Sequence, residues 1–421
     1  MEAPALVADA KQEDGDAIFF DFDQDGDQDL YVVSGGNEFE PENSFYQDRL
    51  YENDGKGNLT KVNKGFEASP ASGKAVISLD FDRDGDLDLM VGNRIKPQHY
   101  PVAAPSVLYE NLGGSFKEVT AEKAPSILDF GIVNDLLATD INQDGWMDMI
   151  AVGEWTGIGI FINQKGKFEQ IQQENLLDQK GWWFSVNKTD INQDGLPDFI
   201  VGNLGENSKY KTSRKSPLRV FANDFDDNGS FDLVLSSEYK GEYVPFRGRE
   251  CSSQQMPFIE EKFSTYQSFA NASLKDVYGD GLENSYTREV NSFSSILLIN
   301  RGEGEFEIKS LPKLAQTFPI LDVEFWDFNG DGTEDALLVG NIYDTEVETP
   351  RLDGGSGLVL LADPNKELFH PAPSQDLYLS GNTKLTEVLE IDNKTFFLVL
   401  KNNDLPESVS YTHLRAHETL R

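Results

Sequence analysis

DFDRDGDLD, residues 80–88, runs directly into the apolar stretch LMVGN at 89–93, and the reading of the chain turns on this pair. Carboxylates at alternate positions of a short loop converge on a point, and Gly85 lets the backbone reverse behind them. The residues after Asp88 have the character of a β-strand. The same pattern, Asp-x-(Asp/Asn)-x-(Asp/Asn)-Gly-x-x-Asp followed by an apolar strand, occurs five more times: DFDQDGDQD from Asp21, DINQDGWMD from Asp140, DINQDGLPD from Asp190, DFDDNGSFD from Asp224 and DFNGDGTED from Asp327. A second recurring piece is an apolar strand that ends in an Asn or Asp turn, as in RLYENDGKGNL from Arg49, VLYENLGGSF from Val107 and SILLINRGEGEF from Ser295.

Strand, acidic loop, strand, connection, strand, turn, strand makes a four-stranded unit of ~50 to 60 residues, the size of a propeller blade. The first three loops start 59 and 60 residues apart and the next lies 50 further on. The Asp224 loop follows Asp190 by only 34 residues, so the fourth blade is expected to be abbreviated or to share a strand. The reading is an all-β propeller over residues 1–406. Seven blades are preferred from the hairpin count, with six and eight as alternatives. Within it, Ile259, Phe263, Tyr266, Ala270, Leu274 and Val277 are spaced for one helical face behind Pro257, which predicts a helical insertion at about 254–280 in the fifth blade.

Calcium takes six to eight oxygen ligands, and the loops offer them at positions one, three, five and nine, with a carbonyl near seven. The expected ligands are Asp21, Asp23, Asp25 and Asp29; Asp80, Asp82, Asp84 and Asp88; Asp140, Asn142, Asp144 and Asp148; Asp190, Asn192, Asp194 and Asp198; Asp224, Asp226, Asn228 and Asp232; and Asp327, Asn329, Asp331 and Asp335. That allows up to six Ca2+ ions. An EF-hand loop shares the first half of this spacing but needs a Glu at position twelve. Here that position holds Val32, Val91, Ala151, Val201, Leu235 and Leu338, none of which ligates, and a strand follows where an EF-hand needs a helix. Asp, Asn and Gly also make good turns without any metal. That accounts for one such loop and fails for six, because packed carboxylates repel.

A formal charge of −37, from 73 acidic and 36 basic residues, opposes binding to nucleic acid or to an anionic membrane surface. The lone Cys251 excludes a disulfide framework and a cysteine zinc site. No apolar run reaches the ~20 residues of a membrane span, and the N-terminus lacks the basic and apolar regions of a signal peptide.

These repeats resemble the FG-GAP or VCBS family, the integrin-α-like propellers, over roughly residues 16–403. The run FRGREC, QQMPFIEEKFSTYQSFANASLKDVYG and LLINRGEGEFEIKSLP is similar to the C-terminal propeller of large bacterial cell-surface VCBS proteins, some of which carry an ASPIC/UnbV domain. The resemblance implies an exported, extracellular or cell-surface protein, of which this chain is a fragment lacking signal peptide and upstream domains. The ASPIC/UnbV domain itself is not visible. Residues 407–421, ending SYTHLRAHETLR, resemble translated sequencing adapter and are expected to form a disordered tail.

Outside that tail only His99 and His370 remain, and neither has a sequence-visible partner for acid-base work. Cys251 reads as a packed thiol. Trp146, Trp155, Trp182, Trp183 and Trp326 are expected to pack between blades, with sugar stacking at a ring mouth as the alternative. Lys209, Lys211, Arg214 and Lys215 read as a solvated loop, with an acidic glycan as the other reading; Arg247 and Arg249 either dock the insertion or meet a ligand. The expected function is a calcium-stabilised binding or scaffolding module for a protein or glycan partner, not an enzyme. The alternative is a calcium-dependent carbohydrate-active propeller such as a polysaccharide lyase, and nothing marks the cofactor pocket of a quinone dehydrogenase.

Overall fold

In a computed structural model, residues 4–62, 71–373, 377–392 and 394–410 are described. Strands follow the repeats closely. The first sheet joins Glu13–Phe20, Asp29–Gly35, Arg49–Asn53 and Leu59–Lys61, each pairing antiparallel with the next. The second (Ser72–Leu79, Asp88–Ile95, Val107–Asn111, Phe116–Glu118) and third (Asp135–Thr139, Asp148–Val152, Gly159–Asn163, Phe168–Gln170) repeat that order. So does the fifth, with Asp322–Trp326, Asp335–Val339, Leu358–Asp363 and Leu368–Pro371. In every case the acidic loop joins the first strand to the second.

The fourth sheet departs from expectation. It is neither abbreviated nor short of a strand: Ser185–Thr189 and Asp198–Gly202 pair with Ile296–Asn300 and Phe306–Ser310, and residues 203–295 intervene. Phe199 pairs with Leu298 across that gap in sequence. The intervening residues build a branch sheet in the spatial order Glu242–Pro245, Asp232–Tyr239, Leu218–Asn223, Tyr286–Val290, which carries the Asp224 loop. Its helical part is broken into Arg249–Gln255, Phe258–Lys262, Tyr266–Ala270 and Leu274–Tyr278 rather than one continuous face. Thr265 and Ser273 each start a new helix with a reciprocal capping box, which interrupts the period. Ile259, Leu274 and Val277 are buried as expected, but Tyr266 is exposed and Phe269 takes the buried place.

The sixth sheet pairs Thr383–Ile391, Lys394–Lys401 and Glu407–Ser410, so ordered strand reaches into the segment read as a tail; residues 411–421 lie outside the described residues. The first strands of the six sheets pack side by side in chain order. Five apolar cores fill the spaces between successive sheets, the largest around Leu297, Ile320, Leu338 and Leu360. Among the described residues no such core joins the sixth sheet to the first. Phe19 is 61% exposed, and the cross-strand pair Leu385 and Leu400, on the sixth sheet's face away from the fifth, is 42% and 36% exposed. Ala5 and Leu6 of the N-terminal helix cover Leu30, Val32 and Tyr51 on the first sheet's outward face.

On the first strands, carboxylates tie neighbouring sheets. Asp16 accepts the Val76 N–H at 3.0 Å, Asp135 the Val186 N–H at 2.8 Å, and Asp322 the Thr386 N–H at 2.8 Å. Burial is the main cause that pushes Asp135 up to about 7, and the charges of Asp16 and Asp322 add to it. A carboxyl whose pKa is raised on folding holds a proton that the unfolded chain has released. Its stabilisation is therefore full below about 4 and is lost as pH climbs to about 7, at no more than about 1.4 kcal/mol per pH unit. Denaturant melts from pH 5 to 7 should show wild type losing stability relative to Asp135→Asn, which keeps an acceptor but cannot ionise; parallel curves would remove Asp135 from the pH dependence.

Candidate metal sites

All six acidic loops fold alike, because the same residues meet the same backbone demands. The fourth residue of each lies in the left-handed region, at φ 62° for Gln24, 65° for Arg83, 59° for Gln143, 58° for Gln193, 57° for Asp227 and 77° for Gly330. Position six adds a second left-handed residue, Gly26, Gly85, Gly145, Gly195, Gly229 or Gly332, where a side chain would be strained. Two such residues curl the loop so that its side-chain oxygens point inward. In five loops the N–H of that glycine is bonded to the first aspartate, at 2.8 to 3.1 Å.

The ninth residue does something the sequence pattern does not announce. Asp29, Asp88, Asp148, Asp198, Asp232 and Asp335 are at most 2% exposed. One oxygen of each accepts the N–H of the loop's second residue, at 2.8 to 3.1 Å. In the five sheets of the series that carry an acidic loop, the other oxygen accepts an N–H at the end of the third strand, from Asn53, Asn111, Asn163, Asn300 or Ala362, at 2.7 to 2.8 Å. In the branch sheet the Gln255 side chain takes that place at 3.2 Å. These carboxylates are latches as well as ligand candidates.

Three of the third-strand asparagines carry the latch to the preceding sheet. The Nδ2 of Asn111 donates to the Phe22 carbonyl, that of Asn163 to Phe81 and that of Asn300 to Ile141, each reaching the acidic loop of the preceding sheet at 2.8 to 2.9 Å. The recurring Asn-containing turn was the visible signal for them, although it reads as a turn and not as a clasp.

Three loops gather carboxylates ready for a cation. Oxygens of Asp21, Asp23 and Asp29 lie within 4.8 Å of one another, as do those of Asp80, Asp82 and Asp88, and of Asp224, Asp226 and Asp232. Each trio also holds a buried oxygen with no hydrogen-bond partner, Oδ1 of Asp21, Asp80 or Asp226. Orphaned acceptors among packed carboxylates suit a hard divalent ion. In the first two loops the seventh residue adds a carboxylate, Asp27 or Asp86, whose Oδ1 is likewise buried without a partner. The repeat pattern leaves position seven open and points only to a carbonyl there, so these two carboxylates do not stand out in it.

The other three loops are arranged differently. Asn142, Asn192 and Asn329 each donate Nδ2 to the fifth-position aspartate, Asp144, Asp194 or Asp331, at 2.9 to 3.1 Å. An amide nitrogen cannot ligate a cation, so these loops would have to turn that amide over to ligate through its oxygen. Where carboxylates crowd without a counter-charge, burial and then the neighbouring carboxylates push Asp88 up to about 8 and Asp148, Asp198 and Asp335 up to about 6. A bound divalent cation favours the charged form and reverses that direction.

The remaining sequence candidates are mostly engaged in packing. Trp183 and Trp155 are buried, Trp326 joins the core between the fifth and sixth sheets, and Trp146 lies under the Arg83 guanidinium at 4.4 Å. Lys209 and Arg247 both pair with Glu346, at 2.6 and 2.8 Å, and so tie the branch to the fifth sheet's long connection. Arg249 donates to the Phe263 carbonyl inside the helical insertion. The ring of His99 packs on Phe231, and the half-buried Cys251 thiol is pushed up by burial.

Comparison with known proteins finds likeness over part of the chain. Residues 21–91 and 140–201 match the FG-GAP-like repeat, so the chain carries FG-GAP-like repeats. Over 80 residues it is 38% identical to integrin alpha-6 of Gallus gallus, covering 16% of this chain and 8% of that protein. Human integrin alpha-6 is 34% identical over 80 residues, 16% of this chain and 7% of that protein. The chain thus spans under a tenth of the length of these relatives.

Latch and ligand separate by mutation. Asp148→Ala strands two buried backbone N–H groups and should cost about 2 to 4 kcal/mol with or without calcium. Asp84→Ala should lower stability only when calcium is present. Denaturant melts in calcium and in chelator check both; a calcium-independent loss for Asp84→Ala would make that residue structural instead.

Proposed function

We propose that this chain is an extracellular, calcium-stiffened propeller of the FG-GAP type that binds a protein partner through the end of its sheets opposite the acidic loops. The exported, bacterial cell-surface setting belongs to the same reading and rests on the resemblance. The six sheets in series are taken as its sectors. The hairpin count of seven includes the Asp224 hairpin, which lies on the branch. No helix among the described residues is long and apolar enough to cross a membrane.

The observation that carries the binding role is the chemical difference between the two ends. Antiparallel hairpins put the connections between second and third strands at the end away from the metal loops. There Tyr100, Trp182, Phe184 and Tyr210 line a mostly apolar hollow of about 190 Å3 with Ile342 and Leu352. It draws on the second to fifth sheets and on the branch. Half-buried aromatic rings in a polar surround are what anchor residues of a protein partner fit. The acidic loops, with their carboxylates turned to one another, supply rigidity rather than acid-base chemistry in this reading.

Calcium is tested by melting the chelated protein against added Ca2+. Filling one site to a hundred times its Kd adds about 2.7 kcal/mol, so three occupied loops should raise the midpoint by well over 5 °C. An unchanged midpoint removes calcium from the reading. The partner face is tested by selecting displayed peptides on the calcium-loaded protein. Enriched peptides should lose binding to Tyr210→Ala and Phe184→Ala and keep it to Asp144→Ala; peptides indifferent to the first two would place the interface elsewhere.

A further inference from the structure

The first two acidic loops hold more charge than one ion can meet. Each carries five carboxylates, at positions one, three, five, seven and nine, where each of the other four loops carries three or four. The first loop has no basic residue. The single cation of the second, Arg83, is turned to the third sheet's loop, where its guanidinium donates to the Gly145 carbonyl and lies over Trp146. One divalent ion set against five carboxylates leaves three negative charges in place.

These carboxylates fall into two groups. Positions one, three and nine are the gathered trio of each loop, and positions five and seven are outside it. In the second loop the carboxyl groups of Asp84 and Asp86 lie within hydrogen-bonding reach of one another. In the first, Asp25 is the strongest of the like charges acting on Asp27. Each group has its own orphan: Oδ1 of Asp21 or Asp80 in the trio, and Oδ1 of Asp27 or Asp86 in the pair, all buried without a hydrogen-bond partner. We propose that the first and second loops each bind a second divalent cation, calcium by the same oxygen chemistry, between the aspartates at positions five and seven. The proposal rests on the calcium reading of the loops and adds to it a site outside the trio.

The seventh-position carboxylates are held for this. Asp86 is 7% exposed and accepts the N–H of Gly113, in the turn between the third and fourth strands of its sheet. Gly55, at the same place in the first sheet, makes the same bond to Asp27. Both glycines are left-handed, at φ 69° for Gly55 and 70° for Gly113, so the two pairs are built alike. Carboxylates pressed together with no counter-charge repel, and a hard dication with oxygen ligands reverses the sign of that contact. Asp25 and Asp84 are exposed, which gives the ion its way in: it meets the fifth-position carboxylate first and the oxygen behind it second. Through Asp27 or Asp86 it then ties the loop to the outer turn of the same sheet.

The branch loop supplies the contrast. It has the trio Asp224, Asp226 and Asp232, but positions five and seven are Asn228 and Ser230, and the Ser230 N–H donates to Asn228 Oδ1 at 2.7 Å. Nothing there calls for a second ion. The remaining three loops carry Trp146, Leu196 and Thr333 at position seven, none of which brings a carboxylate.

The test counts ions. The full chain is dialysed to equilibrium at about 5 mM free calcium, above the ~0.1 to 1 mM range of extracellular calcium sites, and bound calcium is measured by atomic absorption. Asp86→Asn keeps a carbonyl oxygen for the Gly113 N–H and turns an amide nitrogen on Asp84, the arrangement that Asn142 already makes with Asp144 at 3.1 Å. It removes a like-charge contact, so in chelator it should melt no lower than wild type. Asp27→Asn repeats the change at a less buried residue and keeps the test available if the first variant folds poorly. Each variant should bind one calcium fewer per chain than wild type, and the double variant two fewer. An unchanged count in both single variants, whether with weaker affinity because position seven serves the first ion or with none lost because the pair shares a proton, would overturn the proposal and leave calcium in the trios standing. A wild type that binds no calcium would overturn both together.

Discussion

A buried aspartate at the ninth position of each acidic loop is the constraint around which the sheets are assembled. In the five sheets of the series that carry such a loop it joins three pieces of backbone: the loop's own second residue, the start of the second strand that carries it, and the end of the third strand. A neutral side chain of that size offers one good acceptor where this carboxylate offers two, and at near-zero exposure water is not there to replace the loss. The asparagines that meet the latch then reach the preceding sheet, so one group sets both the fold of a sheet and its seat against the next.

Such latches have an electrostatic consequence. Burial first, and then the other carboxylates of the same loop, push these aspartates up, Asp88 to about 8. A cation in the loop relieves that repulsion and leaves the latch bonds intact, because each carboxylate oxygen has a second lone pair to offer. The three loops with aspartate at position three gather three carboxylates, whereas in the three with asparagine the amide nitrogen is bonded to the fifth-position aspartate. One residue type at one position therefore divides six loops of nearly identical spelling into two groups.

Residues 203–295 change the protein from a plain series of sheets into one with a flank. The branch sheet, tied to the fifth sheet's connection through Lys209, Arg247 and Glu346, builds walls for the aromatic hollow and for a second one, of about 630 Å3, against the third sheet. Trp155 lies between them: its ring meets Trp182 edge-on beside the aromatic hollow, and Thr156, next in the chain, lines the other. Both hollows lie away from the acidic loops, at the end where the second strands connect to the third.

Local chemistry was legible in the sequence. The glycine at position six, the alternating carboxylates and the apolar run behind them dictated hairpin, loop and strand wherever they occurred, because each is decided within about ten residues by turn geometry and periodicity. Six loops and the all-β class followed from that. Which strands become neighbours did not, since Phe199 pairs with Leu298 across the whole inserted branch sheet, and no local pattern records a pairing across that distance. The helical stretch failed for a related reason: its apolar spacing is genuine, but Thr265 and Ser273 cap new helices inside it, and packing chose Phe269 over Tyr266. The latch role of the ninth aspartate and the clasp of the asparagines depend on backbone groups brought in from other strands, and only the tertiary structure assembles those.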